Sequence, residues 1–310
     1  MRISIIIVSF NTKDITIACI KSLLAVSEEA EMQIFVVDNN STDGSVAALK
    51  EQFAAEISAH GLRIIANGEN LGFSKANNMP RRDCAGEYIL FLNSDTIVRK
   101  GAIAKTSEYM RRHPDVGALS CRLVLADGKN LDRDARRAMP TPWVALSHFS
   151  HLDRIFKGTK IFDRYWYGYV PEDKIQEVEV IQGAFFLAPK KVLDEVGWFD
   201  EDYFLDGEDI DLCWKIKNAG YKIIYYPEAY ITHLKGSSKG KSGRGIPYKE
   251  RLKYVSRGAV SMKTFYRKRL WKRANPFLNY CVIAAINLLV FLRIAKITAQ
   301  RLFASRGLKP

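Results

Sequence analysis

ISIIIVSFN (3–11) and QIFVVDNNSTDGS (33–45) decide the fold. Each is a β-branched, continuously apolar run that breaks off on polar residues, SFN at 9–11 and DNNSTDGS at 38–45. Residues 12–24 and 45–57 carry apolar side chains at helical spacing after these runs. LRIIAN (62–67) and EYILFLNSD (87–95) read as further strands, separated by a helix over 74–84 that Pro80 interrupts. Strands without polar alternation are buried on both faces. Their alternation with helices predicts an α/β protein with a mostly parallel sheet flanked by helices. Ligands of such sheets bind beyond the carboxyl ends of the strands, where SFN, DNNSTDGS and NSD (93–95) all fall.

Working outward, the chain has 310 residues, 47% hydrophobic and 26% charged, enough to bury a large core and incompatible with global disorder. Five scattered cysteines without a CxxC pair give neither a disulfide framework nor a cysteine metal site, and fit a reducing cytosol. The N-terminal apolar run is only about six residues and lacks a small-residue cleavage site, so it reads as a first strand and not a leader. Charge is divided: residues 235–310 hold 19 Lys and Arg against the single acid Glu250, a net of +18, while residues 1–234 carry −5 of the whole-chain +13. The two parts are therefore expected to face different partners.

Between 127 and 174 periodicity weakens and aromatics accumulate, including Trp143, Phe149, Phe156, Phe162, Tyr165, Trp166, Tyr167 and Tyr169. This is an acceptor-side lobe, a mobile lid or an irregular aromatic core. VEVIQGAFFLAP (178–189) reads as extended, followed by a short helix with Pro189 in its first turn and Gly197 at its end. A helix over 208–219 ended by Gly220 and an extended KIIYYPEAYITH (222–233) come next. The tail divides into a Gly/Ser/Lys-rich linker (236–245), a basic stretch (249–273) and FLNYCVIAAINLLVFLRIAKITAQRLF (277–303). The 16 apolar-rich residues 277–292 make about 24 Å of helix against about 30 Å of hydrocarbon, short for a span. Asn279, Asn287, Arg293, Lys296, Gln300 and Arg301 share one half of the helical wheel, which favours an amphipathic helix at an anionic membrane surface over one packed on the catalytic domain. The tail is thus expected to be an address separate from the chemistry. Nucleic-acid binding is disfavoured, because the positive charge is confined to this segment and no recognition motif accompanies it.

Four places carry candidate chemistry. Asp38 ends a buried strand, where it either opens a turn or accepts a hydrogen bond from a base or ribose. Asp95 ends LFLNSD, where a carboxylate is costly unless it caps a turn or binds a cation such as Mg²⁺ or Mn²⁺ bridged to substrate phosphates. FDEDYFLDGEDID (199–211) packs Asp200, Glu201, Asp202, Asp206, Glu208, Asp209 and Asp211 together, more acids than one helix start needs, so one is a plausible general base. His233 in YITHLKGSS precedes a Gly/Ser-rich loop that suits covering a phosphate. A sugar-phosphate nucleotidyltransferase would need a Gly-rich loop after the first strand, where this chain has SFNTKD.

In order, ISIIIVSFN, VVDNNSTDGS, NLGFSKANN (70–78), FLNSD, QGAFFL (182–187), VGWFDEDYFLDGEDIDLCWKIKNAGY (196–221) and TH resemble the family 2 inverting glycosyltransferases, in particular the rhamnosyltransferase-like branch, over about residues 1–240. The resemblance implies a GT-A fold over 1–235, with a nucleotide-binding half (1–120) and an acceptor-binding half (121–235); the composition beyond it adds a basic linker (236–274) and an amphipathic membrane-associating helix (275–310). It implies that Ser9 and Asp38 hold the nucleoside, and that Asn70 and Lys75 lie near the ribose or diphosphate. Asp95 is the last acid of the family's DxD-type motif, here Asn93-Ser94-Asp95, so water or Ser94 must replace the missing ligand. His233 matches the later metal-ligating histidine, and Asp209, beside Glu208, matches the base. The implied partners are a nucleotide-sugar donor, dTDP-rhamnose or a UDP-sugar, and a saccharide or polyprenyl-diphosphate-linked acceptor in cell-envelope polysaccharide synthesis. The implied location is the cytoplasmic face of the membrane.

Overall fold

The computed structural model describes residues 1–234 and 247–305. The expected Rossmann-like start is present: β1 (Arg2–Ser9), α1 (Lys13–Leu24), β2 (Glu31–Asp38), α2 (Ser45–Gln52), α3 (Ala54–Ser58), β3 (Leu62–Ala66), α4 (Phe73–Asn78) and β4 (Tyr88–Asn93). Ile3, Ile5, Ile6 and Ile7 of β1 are all fully buried, which is why no polar alternation marks the strand. The helix expected over 74–84 stops at Asn78 and tightens into a 3₁₀ turn, Met79–Arg82, because Pro80 has no N–H to continue it.

The second half is built from β5 (Thr96–Val98), α5 (Ala102–Arg112), β6 (Val116–Leu125), α6 (Pro142–Phe149), α7 (Leu152–Ile155), β7 (Gln176–Glu177), β8 (Phe185–Pro189), α8 (Lys190–Val196), α9 (Glu208–Asn218) and β9 (Lys222–His233). One mixed sheet runs β3-β2-β1-β4-β8-β6-β9-β5, with β7 added on β9. β3, β2, β1 and β4 are mutually parallel, and β8 enters antiparallel to both β4 and β6. The extended reading of 178–189 shrinks to β8, since only Val180 bridges outward, to Arg137. β9 runs its full expected length. Its pairing with β6 slips between Tyr226 and Tyr230, across Pro227, which cannot donate to the ladder.

The basic stretch is not a linker over the residues described. It forms α10 (Tyr248–Phe265), a π turn at Tyr266–Leu270 and a 3₁₀ turn at Trp271–Arg273, then α11 (Pro276–Ser305); residues 236–245 lie outside the described residues. The reason is charge: Arg269 Nε and Nη2 meet the fully buried Asp211 at 2.7 and 2.9 Å, and Lys268 reaches Asp200 at 2.7 Å and Asp202 at 2.5 Å. The basic tail and the acid cluster are thus partly each other's partners.

α11 turns part of its polar half inward. Asn279 accepts from Tyr266 Oη at 2.8 Å, Gln300 accepts from Arg251 at 2.9 Å, and the Arg293 guanidinium lies 5.4 Å from the Phe149 ring centre. Phe277, Tyr280, Leu288, Phe291 and Leu292 face outward, exposed. The helix continues through Arg293 and Lys296, so Pro276–Arg301 is long and apolar enough by length and composition to cross a membrane, longer than the 16-residue core read from the sequence.

Candidate active site

Register builds the centre of the site. β5 runs antiparallel to β9 with Thr96 opposite His233, and the Leu234 N–H donates to the Asp95 carbonyl at 2.8 Å. The His233 side chain consequently lies beside Asp95, with Nε2 3.3 Å from Asp95 Oδ1. Its Nδ1 lies 2.9 Å from Oδ2 of Asp132, whose Oδ1 accepts from the Asp134 N–H at 3.0 Å. All three side chains are buried. Burial alone would lower the His233 pKa, but hydrogen bonds to Asp132 and Asp95 outweigh that effect and raise it to about 9.

The donor set fits a divalent cation. Asp95 offers a hard carboxylate oxygen, His233 would offer Nε2 at the same spot once a cation displaces its proton, and Asp132 orients the imidazole from behind, as outer carboxylates do for ligating histidines. Among the described residues no group of three or more His, Cys, Asp or Glu could hold a metal by itself. A cation here would therefore share its coordination with substrate oxygens, the usual situation of Mg²⁺ and Mn²⁺ at nucleotide diphosphates.

The acid cluster is sorted by position. Asp200, Asp202 and Asp211 are engaged by Lys268 and Arg269, and Asp211 also accepts from Tyr203 Oη at 3.1 Å. Asp206, Glu208 and Asp209 line a cavity of about 1340 Å³ that also reaches Asp95 and His233. Gly207, at φ +96°, brings this corner under α10: an added Cβ would sit 3.2 Å from Ser261. Asp209 Oδ2 receives Arg137 Nη2 at 2.6 Å and its Oδ1 receives the Ile210 N–H at 2.8 Å. Each oxygen keeps a second lone-pair site for a proton.

On the donor side, Asp38 Oδ1 accepts the Ser41 N–H at 2.9 Å, and its buried Oδ2 has no hydrogen-bond partner among the described residues. That is an acceptor suited to a base or ribose. Asn70 Oδ1 accepts the Gly72 N–H at 3.0 Å and so shapes its own loop, while Lys75 is exposed on α4. Ser9 differs from expectation: its hydroxyl is buried in a network with Thr12 (3.1 Å) and Thr16 (3.0 Å), so that what it holds is the start of α1. Ser94 joins the same network, 3.4 Å from Thr12 Oγ1. NLGFSKANN is chiefly a brace between the two halves. The Phe73 N–H donates to the Phe204 carbonyl at 2.7 Å, a Cβ on Gly72 would collide with Phe204, and Asn78 donates to the Phe199 carbonyl at 2.9 Å.

Asp132 and Arg137 went unread in the sequence. Both sit in LDRDARRA (131–138), where neither helical nor strand spacing sets a residue apart. The tail is not separate from the site: Tyr254 and Met262 of α10 and Ile286 and Leu289 of α11 form a wall of the same cavity. Truncation before α10 would open the site.

A sheet of this order, with acids at its carboxyl edge and the acidic start of α9 across one cavity, has the architecture of a GT-A glycosyltransferase. The chain belongs to glycosyl transferase family 2, whose family model matches residues 4–173. It is 25% identical over 246 residues to the N-acetylglucosaminyl-diphospho-decaprenol L-rhamnosyltransferase of Mycobacterium tuberculosis (strain ATCC 25618 / H37Rv), covering 70% of this chain and 71% of the relative. It is 22% identical over 278 residues to the O-antigen biosynthesis protein RfbC of Myxococcus xanthus, covering 90% of this chain but 20% of that larger protein. Among solved structures, the mannosyltransferase PcManGT of Pyrobaculum calidifontis, in complex with GDP-Man and Mn²⁺, shares the fold with a TM-score of 0.56 at 19% identity, covering 99% of this chain and 76% of that one. The acid cluster and His233 lie beyond the family match, which ends before them.

Proposed function

We propose that this glycosyltransferase moves one sugar, with inversion, from a nucleotide diphosphate donor to a lipid-linked saccharide acceptor at the membrane surface, in cell-envelope polysaccharide synthesis. The observation that carries the reading is the convergence of Asp95, His233, Glu208 and Asp209 on one cavity whose far wall is the apolar α10–α11 pair. The rhamnosyltransferase among the relatives favours dTDP-rhamnose as donor, with UDP-sugars second. The free cysteines, four of them buried, and the outward apolar face of α11 support a cytoplasmic, membrane-bound location.

In this mechanism Asp38 takes the nucleoside through its unsatisfied Oδ2, and Asn70 and Lys75 take the ribose and diphosphate side. Asp95 and His233 would hold a Mg²⁺ or Mn²⁺ ion, which would supply positive charge against the departing diphosphate. Asp132 keeps Nε2 of His233 aimed at that position. Asp209, its rotamer fixed by Arg137, accepts the proton of the acceptor hydroxyl as that oxygen attacks the anomeric carbon, and Glu208 flanks it. The diphosphate leaves on the opposite face, so the configuration inverts and no covalent sugar intermediate forms. The test is a panel of nucleotide sugars assayed with membrane extract for Mn²⁺- or Mg²⁺-dependent release of nucleoside diphosphate. Release without added acceptor only, or from no donor, overturns the reading.

A further inference from the structure

One side of the cavity mouth is lined from within residues 142–150, the first part of a lobe that runs on to residue 161, and the exposed surface of that lobe has an uncommon composition. Trp143, Leu146, Ile155 and Ile161 are 46, 56, 70 and 62% exposed. The lobe's one acid turns inward, Asp153 buried against His148 Nδ1 at 2.7 Å, and Asp163 just past the lobe is buried accepting the Gly158 N–H at 2.8 Å. Its bases turn outward. Arg154, Lys157 and Lys160 are exposed and make no ion pair among the described residues. The outward surface is therefore apolar and cationic together, the composition of segments that lie in an anionic bilayer interface. In water alone, such a surface would be an aggregation liability.

The lobe also abuts the helix already assigned to the membrane. Arg293 of α11 lies over the Phe149 ring, and Leu146 and Phe149 line the same cavity as Leu288 and Leu289. Two outward apolar surfaces thus flank one mouth.

We propose that the 142–161 lobe is a second membrane contact, which docks on anionic lipid together with α11 so that the cavity mouth between them opens onto the bilayer. This rests on the reading above that the acceptor is lipid-linked. The lobe's position has a direct consequence: a lipid-linked saccharide can reach Asp209 while its apolar chain stays among lipids, and only its polar end enters the cavity.

The experiment uses the full chain, vesicles of phosphatidylcholine alone or mixed with phosphatidylglycerol, and two variants that touch neither cavity nor core, I155D/I161D and R154Q/K157Q/K160Q. Both are expected to keep the melting temperature and the rate on a soluble acceptor analogue. R154Q/K157Q/K160Q, which removes three basic residues at about 1 kcal/mol each at an anionic surface, is expected to bind mixed vesicles on the order of a hundredfold more weakly, I155D/I161D at least about fivefold more weakly, and both to lose activity on a lipid-linked acceptor. R154Q/K157Q/K160Q should also lose much of its preference for mixed over neutral vesicles. Undiminished vesicle binding by both variants, with binding lost in F291D/L292D, would leave α11 as the sole contact and overturn the proposal. Vesicle binding that falls without any change on the lipid-linked acceptor would overturn the bilayer-facing mouth. If the unsubstituted chain fails to bind vesicles at all, the membrane reading itself goes, whatever its lobe does.

Discussion

Residues 1–95 and residues 126–234 hold their functional side chains by different means. In the first region they stand at the ends of strands aligned by backbone ladders: Ser9 pairs in register with Asp38, and Val8 with Asn93. In the second, apart from His233 at the end of β9, they stand on turns and helix starts, and they are fixed by charge pairs across long stretches of chain, Asp132 to His233, Arg137 to Asp209, and Arg269 to Asp211. A ladder needs no particular side chain, so it survives most substitutions. A buried charge pair is lost with either partner and leaves the other charge uncompensated. The donor edge should therefore be sensitive only at its terminal residues, and the acceptor side should be brittle throughout.

The sharpest challenge to that contrast is Asp95→Ala, at the meeting point of both regions. Transfer is expected to fall below detection, and calorimetry should show Mn²⁺-dependent affinity for a nucleoside diphosphate weakened at least about a hundredfold. Unchanged affinity would remove Asp95 from the metal site. Next comes Arg269→Ala, which strands the fully buried Asp211 and should cost about 3 kcal/mol in urea unfolding. A loss under about 1 kcal/mol would mean the acid tolerates solitude and the brittleness argument fails. Asp209→Asn is expected to leave donor affinity intact while lowering turnover about a hundredfold. Near-normal turnover would pass the role of base to Glu208 or Asp206. Smallest should be Ser94→Ala: with its hydroxyl turned to Thr12, the expected loss in Mn²⁺ affinity is under about threefold, the scale of one neutral hydrogen bond. A tenfold loss would restore Ser94 as a ligand.

What could be read from the sequence follows the same division. β1, β2 and β4 announced themselves because continuous apolar runs stop abruptly on polar residues, with Asp38 at one stop and Asp95 just past another, and β9 was legible as an extended run that ends on His233. Gly197 and Gly220, at φ +89° and +91°, mark helix ends as expected of residues that enter the left-handed region freely. Asp132 and Arg137 were not legible, because their partners lie 101 and 72 residues away and nothing local distinguishes them. Nor could the acid cluster be sorted into cavity-facing and structural members without knowing that Lys268 and Arg269 return to it. The division of charge between the two parts of the chain was itself the clue, read as separate outside partners when it was partly internal neutralisation. Ser9 and Ser94 follow the same logic, since a hydroxyl at a strand end looks alike whether it faces a ligand or a buried threonine.

The brace between Gly72–Asn78 and Phe199–Phe204 bears on how such enzymes can be recombined. The stretches 1–120 and 121–235 are joined by one sheet, through β4 against β8, and by the backbone bond from Phe73 to Phe204. Swapping residues 1–120 for those of a relative with another donor would import a foreign loop against an unchanged Phe204, with a gap of only 2.6 Å for any side chain in place of Gly72. Exchange of donor specificity in this chain has to move the loop and its 199–204 counterpart as a unit, so the inheritable module is a discontinuous one.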